Sequence, residues 1–91
     1  MEKKLEELRK LAEKWGVRAQ VAQMGLPEDD PRVKEIIVLG WVSEAKGYLE
    51  RLKSPSISIF DRKRFISLAT YCAKRAKVRV EDLAKDVGVE I

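Results

Sequence analysis

The sequence contains no histidine, which removes the commonest general base and the commonest metal ligand. Its single cysteine, Cys72, excludes an internal disulfide and a cysteine-based zinc cluster. No apolar run approaches the ~18 residues needed to span a membrane. The alternating charges of Glu2-Lys3-Lys4-Leu5-Glu6-Glu7 lack the apolar stretch of a signal peptide. The expectation is a cytoplasmic protein with no membrane partner. Glycine is sparse, and Gly16, Gly25, Gly40, Gly47 and Gly88 form no phosphate-cradling pattern. Glu44, Glu50 and Asp61 have no partner at a spacing that implies acid–base pairing. Together these absences point to a non-enzymatic protein with no cofactor, no metal and no small-molecule substrate.

What the sequence does have is charge and helical periodicity. Of its 91 residues, 45% are hydrophobic and 37% charged. The first figure suits a globular protein, and the second, against ~25% on average, signals long solvated helical faces. Such a length suits one helical domain, 1–91. The net charge of +4 is concentrated. Residues 61–80 hold seven bases and one acid, whereas 81–91 hold one base and four acids. Local basic density of this kind governs attraction to anionic partners more than the net charge does.

Leu5, Leu8, Ala12, Trp15, Ala19, Ala22 and Leu26 follow a 3-4 rhythm that keeps one narrow stripe on one side of a helix. The spacing predicts a first helix over 2–24, with a break at Gly16 as the alternative, that glycine marking a kink or a close backbone approach. Gly25-Leu26-Pro27 stops it. Asp30-Pro31 then supplies an N-cap and a first helical residue for a second helix over 31–52. Val33, Ile37, Trp41, Ala45, Tyr48 and Leu52 make its stripe, and Ile36, Val38, Leu39 and Val42 spread apolar character round its other sides. A helix of that kind is buried by several neighbours. A strand over 36–39 is the rival reading, against which stands the helical spacing on both flanks. Gly40 and Gly47 are expected where another helix crosses.

Lys53-Ser54-Pro55-Ser56 reads as a linker. Ser58 and Asp61 fit a capping box for a third helix over 59–76. Its core stripe is Phe65, Ile66, Ala69, Cys72, Ala73 and Ala76, which makes Cys72 a buried, inert thiol. Val80, Leu83, Ala84 and Val87, with Glu81 and Asp82 in the first turn and Gly88 at the end, predict a fourth helix over 80–87. The expected fold is therefore all-α: a small orthogonal bundle of about four helices (2–24, 31–52, 59–76 and 80–87) packed round the second.

Two surfaces carry candidate function. The third helix sets Lys63, Ser67, Thr70, Lys74 and Lys77 on one side, flanked by Arg64, Tyr71 and Arg75. Cations at helical spacing suit phosphates, and hydroxyls between them suit phosphate or sugar oxygens. Lys63, Arg64, Ser67, Thr70, Lys74, Arg75 and Lys77 are therefore candidate nucleic-acid contacts. The plain alternative is a solvated face on a charge-rich protein. Ile57, Ile59 and Phe60 flank the linker and cannot all face one core, which makes them a candidate partner contact. The narrow stripe of the first helix also suits pairing across a dimer.

Glu81-Asp82-Leu83-Ala84-Lys85-Asp86-Val87-Gly88-Val89 resembles the first helix and turn of a helix-turn-helix. It is also similar to the corresponding stretch of cyclin-like repeats in archaeal general transcription factors, with Leu68-Ala69-Thr70-Tyr71-Cys72-Ala73 in the preceding helix. The chain stops at Ile91, where a recognition helix would begin, so no base-reading surface is carried over. The opening Glu2-Lys3-Lys4-Leu5-Glu6-Glu7-Leu8-Arg9-Lys10-Leu11 and the junction Pro27-Glu28-Asp29-Asp30-Pro31 resemble computationally designed helical bundles, as do the explicit caps. Gly16, Gly40, Gly47, Met24, Cys72 and the serine-rich linker depart from that pattern. Glu/Lys enrichment is shared with thermostable proteins of hyperthermophiles. Two functional classes follow. One is a protein-interaction or structural bundle, natural or designed, that engages a protein partner or itself. The other is a nucleic-acid-binding module using the basic face of the third helix.

Overall fold

The structure, a computed structural model, describes residues 2–16 and 24–91. They form four α-helices: α1 Glu2–Trp15, α2 Pro31–Glu50, α3 Ile59–Arg75 and α4 Val80–Val87. One 3-10 turn, Arg51–Lys53, prolongs α2. No strand occurs among the described residues, so the segment 36–39 is helical and the fold is an all-α bundle.

The helix starts follow from local chemistry. Asp30 holds extended backbone, its carboxylate accepts from the Arg32 amide at 2.8 Å, and Pro31 opens α2. That arrangement satisfies an amide that has no partner inside the helix. The Ser58 hydroxyl accepts from the Asp61 amide at 3.0 Å and starts α3 in the same way. No side chain caps α4, whose first turn instead carries Glu81 and Asp82 against the positive end of the helix dipole.

The first helix departs from the expected span of 2–24. It ends at Trp15, because Gly16 turns into the left-handed region at φ +87. A side chain at Gly16 would also collide with Glu44 of α2. Its Cβ would lie 2.6 Å from Oε1 and 2.9 Å from Cδ of that residue. The positive φ calls for glycine here, and a Cβ would in addition have to displace the Glu44 side chain. Ala19 and Ala22, the expected continuation of the stripe, lie outside the described residues. Trp15, expected in the core, is 65% exposed, with the Lys14 ammonium 5.2 Å from its ring.

Cross-helix contacts give the directions. Arg32 lies 3.8 Å from Glu2, and Gly16 lies against Glu44, so α1 and α2 run the same way. Trp41 meets Tyr71 and Tyr48 meets Phe65, so α3 runs opposite to α2. Lys46 and Asp86, 3.9 Å apart, link α2 to α4.

The second helix is buried on two sides in succession. Its first half buries Val33, Ile36 and Gly40, and Ile36 joins Leu8 and Ala12 of α1 in one cluster. Its second half buries Ala45 and Leu49. These two join Leu52, Ala69, Cys72, Ala73, Leu83 and Ala84 in a second cluster, between α3 and α4. At 3.6 residues per turn the two sets point in roughly opposite directions. Of the expected stripe, Val33, Ala45 and Leu52 are buried, whereas Ile37, Trp41 and Tyr48 fall between the two sets and are half-buried. Those three mark the seam between two cores, and Trp41 packs against both. Gly40 is buried as a crossing requires, but Gly47 is exposed and a Cβ there would meet nothing within 4 Å.

Two consequences can be measured. Gly16→Ala is expected to lower the thermal midpoint more than Gly25→Ala does. Both residues have positive φ, but a Cβ at Gly25 meets nothing within 4 Å. The backbone strain shared by both is about 1–2 kcal/mol, and only Gly16→Ala must also displace Glu44. Equal midpoints by circular dichroism would remove the close approach. The second consequence concerns Asp30. Its hydrogen bond from the Arg32 side chain, and the bond from the Arg32 amide, hold its carboxyl below the ordinary range. A folded-state pKa below the unfolded one contributes stability that is full above the unfolded value, ~3.9 for aspartate, and is lost as pH falls through the folded value. Asp30→Asn keeps a capping oxygen and removes the charge. It should melt below the parent at neutral pH, with the gap closing in acid, and a pH-independent gap would contradict the assignment.

Candidate nucleic-acid interface

α3 turns small residues to the core. Ala69, Cys72 and Ala73 are buried, as is Ala76 just beyond its end. Alanine on the inner side lets the helix lie close on its neighbours and leaves most of its outer side to solvent. Phe60, Arg64, Ser67, Tyr71 and Lys74 are spaced 4-3-4-3 along that outer side, and all five are exposed. Lys63, Thr70 and Lys77 border this stripe.

The structure brings most of the candidate contacts together. Lys63, Arg64, Ser67, Lys74, Arg75 and Lys77 are exposed. Among the described ion pairs none includes Lys63, Arg64, Lys74, Arg75 or Lys77. Thr70 departs from expectation. It is half-buried, and its hydroxyl donates to the Ile66 carbonyl at 2.7 Å. A hydroxyl committed to its own helix is not presented to a ligand. Arg62, a further base of the same tract, is also turned aside: it donates to the Glu90 carbonyl at 2.7 Å and ties the segment after α4 to the start of α3.

Aromatic rings position the arginines. The Arg75 guanidinium lies 5.4 Å from the centre of the Trp41 ring, which stands edge-on to Tyr71 at 6.0 Å and 81°. Arg64 lies 5.8 Å from Phe65, which stacks on Tyr48 at 6.3 Å and also receives Arg51 at 5.3 Å. Cation–π contact restrains a guanidinium without neutralising it. Arg64 and Arg75 each lean on a ring, and no such ring contact involves Lys63, Lys74 or Lys77 among the described residues.

Lys77 is the one described non-glycine residue with positive φ, at 60. It follows α3 as the left-handed residue of a Schellman closure, its amide bonding the Lys74 carbonyl at 3.1 Å and the Val78 amide the Ala73 carbonyl at 3.0 Å. The end of α4 closes in the same manner through Gly88, at φ 87. Glycine is the relaxed choice at such a position. One helix uses it, and the helix with the basic face carries a cation there instead.

The apolar contact expected at Ile57, Ile59 and Phe60 is split. Ile59 and Phe60 are each 76% exposed, whereas Ile57 packs against the second core cluster. Phe60 is also the first residue of the outer stripe. Sequence reasoning grouped it with the linker and missed that membership, though the 4-3-4-3 spacing from Phe60 to Lys74 carries the signal.

Elsewhere the chemistry is sparse. Cys72 is 1% exposed, with its thiol 3.7 Å from Glu44 Oε2. No cluster of three or more His, Cys, Asp or Glu able to hold a metal occurs among the described residues. No helix among them is long and apolar enough to cross a membrane. A shallow hollow of about 500 Å³ lies between α1 and the start of α2, beside Leu5, Arg9, Arg32 and Ile36. No protein-family model, curated protein or solved structure matches the chain.

The backbone at Lys77 separates stability from binding. Lys77→Gly relieves a left-handed lysine and should stabilise the fold by about 1 kcal/mol. The same change removes a cation from the face and should weaken polyanion binding. A variant that is both more stable and an equal binder would show that Lys77 serves no ligand.

Proposed function

We propose that this chain is a non-enzymatic binding module, and that the basic face of α3 takes the phosphate backbone of nucleic acid. The observation that carries this reading is the set Lys63, Arg64, Lys74, Arg75 and Lys77, exposed in two groups along one helix and its cap, with no carboxylate partner among the described ion pairs. Charges that serve a solvated, self-compensating face are normally interleaved with acids one turn away. On α3 the one acid is Asp61, in its first turn. Like charges gathered on one helix repel one another, and a bound polyanion removes that repulsion. The left-handed Lys77 adds weight, since a strained residue kept where glycine is relaxed points toward use. Ile59 and Phe60 favour an acidic protein as the second reading, because an exposed apolar pair at the head of a basic face also suits a protein contact.

Each phosphate contact releases counterions, which gives a slope of log affinity against log salt of ~0.9 per contact on duplex DNA. With roughly three to four contacts from this face, affinity should fall steeply between low and physiological salt. The deciding comparison sets Lys63→Glu with Lys74→Glu against Lys3→Glu with Lys4→Glu. Net charge changes equally in both, and all four lysines are exposed. The α3 pair should lose at least tenfold in affinity for nucleic acid at low salt, and the α1 pair much less. Equal losses would reduce the effect to bulk charge. No binding by the parent protein at low salt would overturn the reading.

A further inference from the structure

The outer stripe of α3 is not uniformly basic. Phe60 and Tyr71 stand on it, 76% and 50% exposed, with Arg64 and Ser67 between them and Lys74 after them. Eleven residues of helix separate the two rings by roughly 16 Å along the axis. Exposed aromatic rings on a cationic surface are held in water at a cost unless something covers them. In duplex nucleic acid the base faces are already stacked on each other, and only edges and phosphates meet a protein helix. Those edges are read by arginine or lysine at guanine and by asparagine or glutamine at adenine. The chain has no asparagine, and its two glutamines, Gln20 and Gln23, are not on α3. A phenyl ring gains little from a duplex backbone and much from an unstacked base.

We infer that the stripe binds single-stranded nucleic acid, with Phe60 and Tyr71 stacking on bases while Lys63, Arg64, Lys74 and Lys77 take the phosphates between and beside them. This rests on the nucleic-acid reading above and narrows its ligand class. Tyr71 is the fixed platform, its ring held edge-on by Trp41, which in turn carries the Arg75 guanidinium. Phe60 stands in the first turn of α3, where it can take a base further along the strand rather than the neighbour of the base on Tyr71. Ser67 lies midway, where its hydroxyl can meet a phosphate or a ribose oxygen. Recognition of this kind tolerates sequence, because every base has a face to stack.

The test uses the full chain and three probes of equal length: an oligothymidylate, an oligouridylate and a mixed-sequence duplex, each titrated at low salt by fluorescence anisotropy. Either single strand should bind more tightly than the duplex, and the ratio of the two single strands reports whether a 2′-hydroxyl contributes. Phe60→Ala removes an exposed ring with no packing role. It should weaken single-strand binding about tenfold, the size of one lost base stack, and change duplex binding less than about twofold. Tyr71→Phe keeps the ring and should retain affinity. Circular dichroism melts confirm that both variants fold. Duplex binding equal to or tighter than both single strands, or Phe60→Ala binding them as well as the parent, overturns this inference and leaves the nucleic-acid reading standing. Binding of none of the three probes overturns both.

Discussion

The fold depends on α2 being buried first on one side and then on the other. Ile36 faces α1, Ala45 and Leu49 face α3 and α4, and Trp41 lies at the seam, in contact with both clusters. One turn beyond Trp41, Glu44 occupies the same junction, between Gly16 at the end of α1 and the buried thiol of Cys72 on α3. A helix that switches its buried side can hold neighbours on opposite flanks without those neighbours covering each other. The result is an elongated molecule of 44 × 22 × 18 Å. Its α1 packs on α2, and the outer side of α3 is left open. The candidate interface is thus a by-product of how α2 divides its burial.

That division also explains what the sequence could and could not disclose. Caps are local chemistry, so Asp30-Pro31 and Ser58 marked the starts of α2 and α3 correctly, and Gly88 marked the end of α4. The buried alanines and Cys72 of α3 were legible because that helix has one core side. On α2, apolar residues lie round most of the circumference, so spacing places Val33, Ala45 and Leu52 in the core but does not tell them from Ile37, Trp41 and Tyr48, which lie at its boundary. At the end of α1, Gly16 signals a break but not what closes on it. Nothing in the 3-4 rhythm registers Glu44 closing on Gly16 across the interface, since that contact joins residues far apart in sequence.

The candidate site shows the same split between local and tertiary information. Helical spacing alone collected Lys63, Arg64, Ser67 and Lys74 on one side. Three features needed the folded chain. Thr70 was lost to a backbone carbonyl inside its own helix. Arg75 and Arg64 were found leaning on Trp41 and Phe65. Lys77 was found in a conformation that lysine rarely adopts. Spacing is blind to all three, because each depends on where a side chain or a carbonyl ends up after packing. The physical picture is a face whose arginines lean on rings, whose lysines enter no ion pair among the described residues, and whose two exposed aromatics lie among them. Such a face would offer a polyanion long-range attraction and an unstacked base a ring to stack on.

The most direct measurement is a backbone amide chemical-shift titration of the full chain with an oligothymidylate at low salt. The predicted result is a contiguous set of perturbed amides from Phe60 to Lys77 on α3 and its cap, with α1 and the first half of α2 unmoved. Perturbations centred on α1, or spread evenly over every exposed lysine, would contradict a binding face on α3.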